Sequence, residues 1–183
     1  MKLAIFDMDG TLYNTNDVNY FAYKTALNTF GVDLDYDYYC NYCNGRHYKV
    51  FIPPLVDNDE EKIEEVHKIK KDAYSKYLDK VKVNERLFDI IRLIKSEYKI
   101  VLVTTASKKN TEEILKYTKK IELFDDIITA DDISKPKPDP EGFNLAIQRF
   151  NVDPKNAIIF EDAEVGIEAA RKTGASVFVV NKF

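Results

Sequence analysis

The sequence predicts an α/β protein: a Rossmann-like parallel sheet flanked by helices, with a small all-helical domain inserted after the first strand. Two observations predict the sheet. Five short runs are apolar on both faces instead of alternating, as are strands that helices cover on both sides. Helical patterns separate the later runs, and strands that alternate with helices form parallel sheets with right-handed crossovers. The predicted strands are residues 2–6, 99–104, 126–130, 157–160 and 176–180.

Four helices are predicted between these strands from capping signals and apolar spacing. The first begins at Asn84, which precedes apolar residues spaced as on one helix face. Asn110, with Glu113 three residues later, resembles a capping box, and Asp139 followed by proline supplies another helix start. A short helix over residues 163–173 ends at a glycine.

A stretch of 66 residues, 16–81, interrupts this rhythm and contains no convincing strand. Helical spacing is present in residues 18–25 and 59–79, on either side of a tyrosine-rich segment. We therefore predict a helical cap domain over residues 16–81, inserted into a catalytic core of residues 1–15 and 82–183. Over the end of the first strand, such a domain would exclude water and select the substrate.

The composition is that of an ordinary soluble globular protein, with 45% apolar and 32% charged residues. The net charge of −4 argues against nucleic acid as the main partner, because binding to a phosphate backbone requires a basic face. The N-terminal apolar run is too short for a signal peptide or a membrane span. Two cysteines without an export signal indicate a reducing cytosol. We expect a cytoplasmic protein that binds neither nucleic acid nor membrane.

Two aspartates directly follow the first predicted strand. Asp7 and Asp9 lie in an acid-x-acid-Gly-Thr motif at the carboxyl end of a buried strand, where open α/β sheets bind ligands. Crowded carboxylates are unfavourable unless a cation neutralises them. The motif therefore predicts a hard metal ion, and it offers a nucleophile beside a proton donor.

The predicted strand over residues 99–104 ends in a run of hydroxyl side chains that begins with Thr104. A hydroxyl group and backbone N–H groups at a strand end can hold phosphate oxygens. Threonine is also common in strands for structural reasons. This segment alone therefore does not decide between phosphate binding and a structural role.

The segment 134–140 carries two lysines, each followed by a proline. Proline restricts the local backbone and could hold an ammonium group near the acids, where it would neutralise a transferring phosphoryl group. We assign this role to Lys135 and expect Lys137 to face solvent. The alternative is a basic loop that is simply solvated.

A second pair of acids, Glu161 and Asp162, follows the predicted strand that ends at residue 160. Mg²⁺ prefers a few carboxylates, retained waters and a substrate phosphate oxygen. Asp7, Asp162 and Glu161 are therefore the candidate metal ligands, with a backbone carbonyl from Asp9. The alternative is that the pair only favours a helix N-terminus through the helix dipole.

These four segments, in this order, resemble the haloacid dehalogenase-like hydrolase superfamily. Its DxDGT motif matches residues 7–11, and its hydrophobic strand ending in Ser or Thr matches Thr104. Its lysine before proline matches Lys135, and its acidic pair before a glycine-containing helix matches residues 161–162. The helical insertion lies where members with a cap after the first motif carry theirs.

The resemblance implies a Mg²⁺-dependent phosphatase that acts on a small phosphorylated metabolite. In it, Asp7 would attack phosphorus to form an aspartyl phosphate, and Asp9 would serve as general acid and base. Thr104 would bind a phosphoryl oxygen, Lys135 would balance charge, and the acids 161–162 would help to hold Mg²⁺. Dehalogenating relatives lack the second acid, so Asp9 favours the phosphate branch.

The details look most like phosphoglycolate phosphatases and β-phosphoglucomutases, and two other activities stay open. A sugar phosphomutase would return the phosphoryl group to its substrate, but β-phosphoglucomutases carry a histidine at the position that matches Asn19. A non-catalytic, receiver-like phosphorylation switch would carry its phosphorylated Asp on a central strand, where Thr104 stands here.

Cys40 and Cys43 form a CxxC pair in the predicted helical domain. A zinc site needs about four ligands, and a thioredoxin-like pair would lie beside a βαβ unit. We interpret both cysteines as packing residues of a helix. We also interpret His67 as a surface residue of a helix.

Overall fold

The computed structural model describes residues 1–181, and the chain divides into two compact units. The first unit consists of Met1–Asn14 together with the chain from Lys82 onward. The second unit, Thr15–Val81, is inserted between these two segments.

The first unit is built around a parallel sheet. The described residues form seven strands: β1 (Lys2–Phe6), β2 (Tyr13–Asn14), β3 (Lys82–Val83), β4 (Tyr98–Val103), β5 (Asp126–Ile128), β6 (Ala157–Glu161) and β7 (Ser176–Val179). Five of them form one sheet in the order β5-β4-β1-β6-β7, with every neighbouring pair parallel. β2 and β3 pair antiparallel as a separate two-stranded ribbon. The predicted α/β fold with a parallel sheet is confirmed.

Helices connect the strands of the sheet, and further helices make up the second unit. The α-helices of the described residues are α1 (Asn16–Asn28), α2 (Tyr36–Tyr38), α3 (Tyr48–Phe51), α4 (Glu60–Ala73), α5 (Glu85–Ile94), α6 (Lys108–Tyr117), α7 (Glu141–Arg149) and α8 (Glu164–Arg171). Helices α5 to α8 belong to the first unit, as the apolar spacing predicts. None of the described helices has the length and apolar composition needed to cross a membrane.

Two of the predicted helix starts have different outcomes. The Asn84 side chain accepts a hydrogen bond from the N–H of Leu87, which confirms it as the N-cap of α5. The predicted start at Asn110 is wrong, because Ser107 caps α6 and its hydroxyl accepts from the N–H of Asn110. A capping residue lies just outside the helix, whereas Asn110 lies inside the first turn of α6.

β1 occupies the centre of the sheet and is buried on both faces. Leu3 and Ile5 belong to one apolar cluster, which also contains Phe143 of α7. On the alternate face, the ring of Phe6 stacks on that of Phe160 with their centroids 4.3 Å apart. Burial of each such large side chain contributes about 1.5–3 kcal/mol to the free energy of unfolding. This packing on both faces fixes the carboxyl end of β1, from which the first acidic motif continues.

The second unit is entirely helical, and aromatic rings form much of its core. Tyr23, Tyr39 and Phe51 belong to its buried apolar cluster, and the ring of Tyr23 meets Phe51 edge-on at 5.0 Å. The ammonium group of the buried Lys70 lies 5.1 Å from the centroid of the Tyr23 ring. Part of the tyrosine enrichment is therefore core packing, whereas Tyr36, Tyr38 and Tyr42 are exposed.

The CxxC pair and the helical histidine differ partly from expectation. Cys43 is buried as predicted, but Cys40 is exposed, and both are free thiols in a single π-helical turn. His67 is half-buried rather than exposed, because its ring stacks on that of Tyr48 with centroids 3.8 Å apart. The prediction of a helix residue is confirmed, but the His67 side chain lies only partly at the surface.

Candidate active site

The chain turns sharply after β1, and this turn carries the first two acids. The N–H of Asp7 still donates to the carbonyl of Phe160 on β6, so Asp7 continues the sheet. The N–H of Tyr13 then donates to the carbonyl of Met8, and Gly10 adopts a φ of +95°, which favours glycine. Asp7 is buried and Asp9 is half-buried at the carboxyl end of β1.

A lysine lies directly against the first acid, but it is Lys137 and not Lys135. The Nζ atom of Lys137 lies 2.5 Å from Oδ1 of Asp7 and 2.6 Å from Oε2 of Glu161. Its side chain is only 10% exposed. The expectations that Lys137 faces solvent and that Lys135 meets the acids are both overturned.

Hydrogen bonds to the carboxylate of Glu141 explain why Lys137, and not Lys135, contacts the acids. That carboxylate accepts the backbone N–H groups of Ser134 and Lys135, at 2.9 and 2.8 Å. This tie holds the start of the loop against the N-terminus of α7 and leaves the Lys135 residue exposed. The sequence gives no signal for this choice, because each lysine is followed by a proline.

The first acid and its lysine are strongly coupled through their charges. Burial raises the pKa of Asp7, and the charges of Glu161 and Asp9 raise it further, while Lys137 opposes the rise. Burial alone would lower the pKa of Lys137, but Asp7 and Glu161 together hold it above its ordinary value. The lysine therefore keeps its positive charge between two carboxylates.

Glu161 links this lysine to the start of α8. Its Oε1 atom accepts the N–H groups of Asp162 and Ala163, each at 3.1 Å. Its Oε2 atom accepts from Lys137, and the residue is 1% exposed. Every oxygen of this buried carboxylate thus has a partner, as burial of a charged group requires.

Three of the predicted acids form a group that could hold a metal ion. One carboxylate oxygen from each of Asp7, Glu161 and Asp162 lies within 4.8 Å of the other two. The Thr11 hydroxyl donates to Oδ1 of Asp162 at 2.9 Å and orients it. Burial raises the pKa of Asp162, while the bond from Thr11 lowers it.

The donor set of this group fits a hard divalent cation. All three side chains offer oxygen ligands, and a single lysine cannot balance three carboxylates. The carboxylate of Asp9 is not one of the three, so the predicted backbone carbonyl remains the contribution expected from that residue. Thr11 was recognised in the sequence only as part of the motif, and its bond to Asp162 has no local signal.

Thr104 lies at the end of β4, next to β1 in the sheet. Its N–H donates to the carbonyl of Ile128, and its hydroxyl accepts from the N–H of Ala106 at 3.0 Å. A hydroxyl that accepts one bond can still donate its own proton to a ligand. Thr104 lines a small pocket together with Lys137 and Asp139. The structure therefore brings the predicted threonine to the edge of the sheet where the acids lie.

The sequence that forms this sheet edge matches a known family. A family model described as haloacid dehalogenase-like hydrolase matches residues 4–180. The chain belongs to the haloacid dehalogenase-like hydrolase family. The predicted family is confirmed, and with it the α/β fold of the core.

Curated relatives of this hydrolase are phosphatases. It is 34% identical over 184 residues to the validoxylamine A 7'-phosphate phosphatase of Streptomyces hygroscopicus subsp. limoneus. This match covers 94% of this chain and 82% of that protein. It is 30% identical over 181 residues to the phosphorylated carbohydrates phosphatase of Thermotoga maritima, covering 95% and 82%. These relatives confirm the prediction of an enzyme of the phosphoric monoester hydrolase class.

A solved structure with the same fold is CbbY from Rhodobacter sphaeroides in complex with phosphate. The TM-score is 0.86 at 25% sequence identity, and the match covers 100% of this chain and 88% of that one. A mutant of CbbY in complex with xylulose-(1,5)bisphosphate gives a TM-score of 0.85 at the same identity and coverage.

Proposed function

We propose that this hydrolase is a Mg²⁺-dependent phosphatase that cleaves small phosphate monoesters through an aspartyl phosphate on Asp7. The observation that carries the proposal is the contact of Lys137 with Asp7, beside a group of acids at the same sheet edge. A buried carboxylate held against an ammonium group is suited to attack phosphorus. The cation offsets the negative charge that builds up around phosphorus in the transition state.

The reaction follows from the roles of four side chains. An oxygen of Asp7 attacks phosphorus, the bond from phosphorus to the ester oxygen breaks, and Asp9 donates a proton to the leaving alcohol. Asp9 then takes a proton from water, which attacks phosphorus and releases phosphate and free Asp7. Thr104 binds a phosphoryl oxygen. Lys137 balances the negative charge of the acids and the phosphoryl group, the role that the family resemblance implied for Lys135.

The metal ion of this proposal is Mg²⁺, held by Asp7, Asp162 and Glu161 with the backbone carbonyl of Asp9. When bound, it would neutralise charge on the phosphoryl oxygens and orient them for in-line attack. The clustered oxygen ligands support this choice, because Mg²⁺ is usually bound by a few carboxylates together with substrate phosphate.

The substrate that we propose is a small phosphorylated metabolite, with sugar phosphates as the first class to test. The support comes from the relatives, one of which is named for phosphorylated carbohydrates and another of which was solved with xylulose-(1,5)bisphosphate. We assign substrate selection and exclusion of water to the inserted helical domain, residues 16–81, as its cap. The two free cysteines are consistent with a cytoplasmic location.

A panel of phosphorylated metabolites, assayed for phosphate release with and without Mg²⁺, tests this proposal. We expect release that requires Mg²⁺ and that is lost in Asp7→Asn, which removes the nucleophile but keeps its shape. Full activity of Asp7→Asn would contradict the covalent mechanism. A requirement for a bisphosphate, with isomerised sugar phosphate as the product, would instead identify the phosphomutase.

A further inference from the structure

Gly166 lies in the first turn of α8, directly beneath the carboxylate of Glu161. A Cβ atom built on Gly166 would lie 2.1 Å from the carboxylate carbon of Glu161 and 2.2 Å from Oε2. Such distances are far shorter than any normal contact, so the Glu161 carboxylate occupies the space of the missing side chain. Gly166 is itself buried.

The backbone of α8 does not explain a glycine at this position. Gly166 is not among the glycines with positive φ, so its conformation is open to any residue. Within a helix, glycine is less favourable than alanine because it loses more backbone freedom on folding. The contact with Glu161 is therefore the physical reason for glycine here.

The Glu161 carboxylate has little room to move away. One oxygen is held by the backbone N–H groups of Asp162 and Ala163, and the other by Lys137, which also contacts Asp7. A methyl group at position 166 would displace the carboxylate and break this set of bonds together.

We propose that Gly166 is a positioning residue: the space left by its missing side chain seats Glu161, which in turn holds Lys137 against Asp7. The part of this inference that concerns catalysis rests on the proposed function. The seat itself is a packing relationship, and it can be tested without any substrate.

The test is a double-mutant cycle with Gly166→Ala, Glu161→Ala and the double variant. Each protein is measured for its thermal unfolding midpoint and, separately, for kcat and KM on a cleaved ester. In the wild-type background we expect Gly166→Ala to lower kcat at least tenfold with a smaller change in KM, and not to raise the midpoint. In the Glu161→Ala background the same substitution should raise the midpoint, because no carboxylate remains to collide with the added methyl group.

A rescue variant separates this role from general disturbance of the helix. Glu161→Asp shortens the acid by one methylene group, which withdraws the carboxylate from the added methyl. We expect Gly166→Ala combined with Glu161→Asp to recover part of the kcat lost in Gly166→Ala alone. A merely structural role of Gly166 would give no such recovery.

The outcomes distinguish the seat from the proposed function. Equal effects of Gly166→Ala on the unfolding midpoint in the wild type and in Glu161→Ala would refute the positioning of Glu161 by Gly166. A wild-type kcat in Gly166→Ala would refute it as well. If Gly166→Ala does not fold, the double variant must fold, and failure of both overturns the inference. A wild-type protein that cleaves no ester would refute the phosphatase, while the unfolding cycle would still decide the seat.

Discussion

The Nζ atom of Lys137 lies 2.5 Å from Oδ1 of Asp7, although 130 positions separate the two residues in the chain. The same ammonium group lies 2.6 Å from the carboxylate of Glu161, so one cation bridges the ends of β1 and β6. All three side chains are at most 10% exposed. Loss of one member of such a buried group leaves an unbalanced charge, which is costly to stability as well as to chemistry.

The first prediction compares the two lysines of the proline-rich loop. Lys137→Ala should lower kcat by about 100-fold or more, as the loss of one preorganised charge partner does in other enzymes. Lys135→Ala should leave kcat within about twofold of the wild type, because its side chain is exposed and far less constrained. Phosphate release under saturating substrate measures both. The opposite order of the two variants would restore the assignment to Lys135.

The second prediction concerns the hydroxyl that orients a metal ligand. Thr11→Val keeps the shape of the side chain but removes the hydrogen bond to Asp162. Loss of a partner that orients a metal ligand typically weakens metal affinity by about 10- to 100-fold. Calorimetric titration with Mg²⁺ should therefore show weaker binding by Thr11→Val. Thr29→Val, which removes a hydroxyl bonded to the Ala26 carbonyl in the inserted unit, is the matched control and should bind as the wild type does.

The third prediction concerns Asn84, whose hydrogen bonds connect the start of α5 to the motif of residues 7–11. Its side chain caps α5 by accepting from Leu87 and donates to the carbonyl of Thr11 at 3.1 Å. Asn84→Ala should lower the free energy of unfolding by about 1–3 kcal/mol, because it removes a cap and leaves a buried carbonyl unpaired. Asn84→Ser restores a cap without the amide donor and should recover only part of the loss. Denaturant unfolding measures both, and equal stability of the alanine variant and the wild type would refute this role.

Much of the core could be predicted from the sequence because its central strands β1, β4 and β6 are largely buried on both faces. That burial makes each strand a continuous apolar run, and β1 shows it most clearly. The ribbon of β2 and β3 could not be predicted, because two-residue strands show no periodicity and β3 is paired by residues about 70 positions away. The alternation of strands and helices in the sequence breaks after β2 and resumes after β3. That break marks the insertion, but it does not reveal that β2 and β3 pair.

The site could be predicted only as far as local motifs reach. The acids at positions 7, 161 and 162 follow strands whose carboxyl ends share an edge, so topology alone brings them together. The choice between Lys135 and Lys137 depends on hydrogen bonds that the loop backbone donates to the carboxylate of Glu141, and no local pattern encodes these. The roles of the acids in catalysis and metal binding stay predictions until the assays above are done.

The last prediction concerns the stability of the protein at acidic pH. Burial, together with the charges of Lys71 and Lys70, lowers the pKa of His67 to about 4. Its Nδ1 atom is buried without a hydrogen-bond partner in the described residues, and its ring stacks on Tyr48. The folded protein therefore keeps this imidazole neutral at pH values where an unfolded chain would protonate it.

The sign of the effect follows from proton binding. Between about pH 6.5 and pH 4 the unfolded chain binds more protons at His67 than the folded protein, so the stabilising contribution is complete above pH 6.5 and is lost as the pH falls. Solvent screening of this half-buried ring reduces the effect, and we expect about 1 kcal/mol between pH 7 and pH 5. His67→Phe keeps the stack on Tyr48 but cannot titrate, so its free energy of unfolding should fall by about 1 kcal/mol less over that range. Identical pH slopes in denaturant unfolding of the two proteins would show that His67 is protonated as readily in the folded protein as in the unfolded chain.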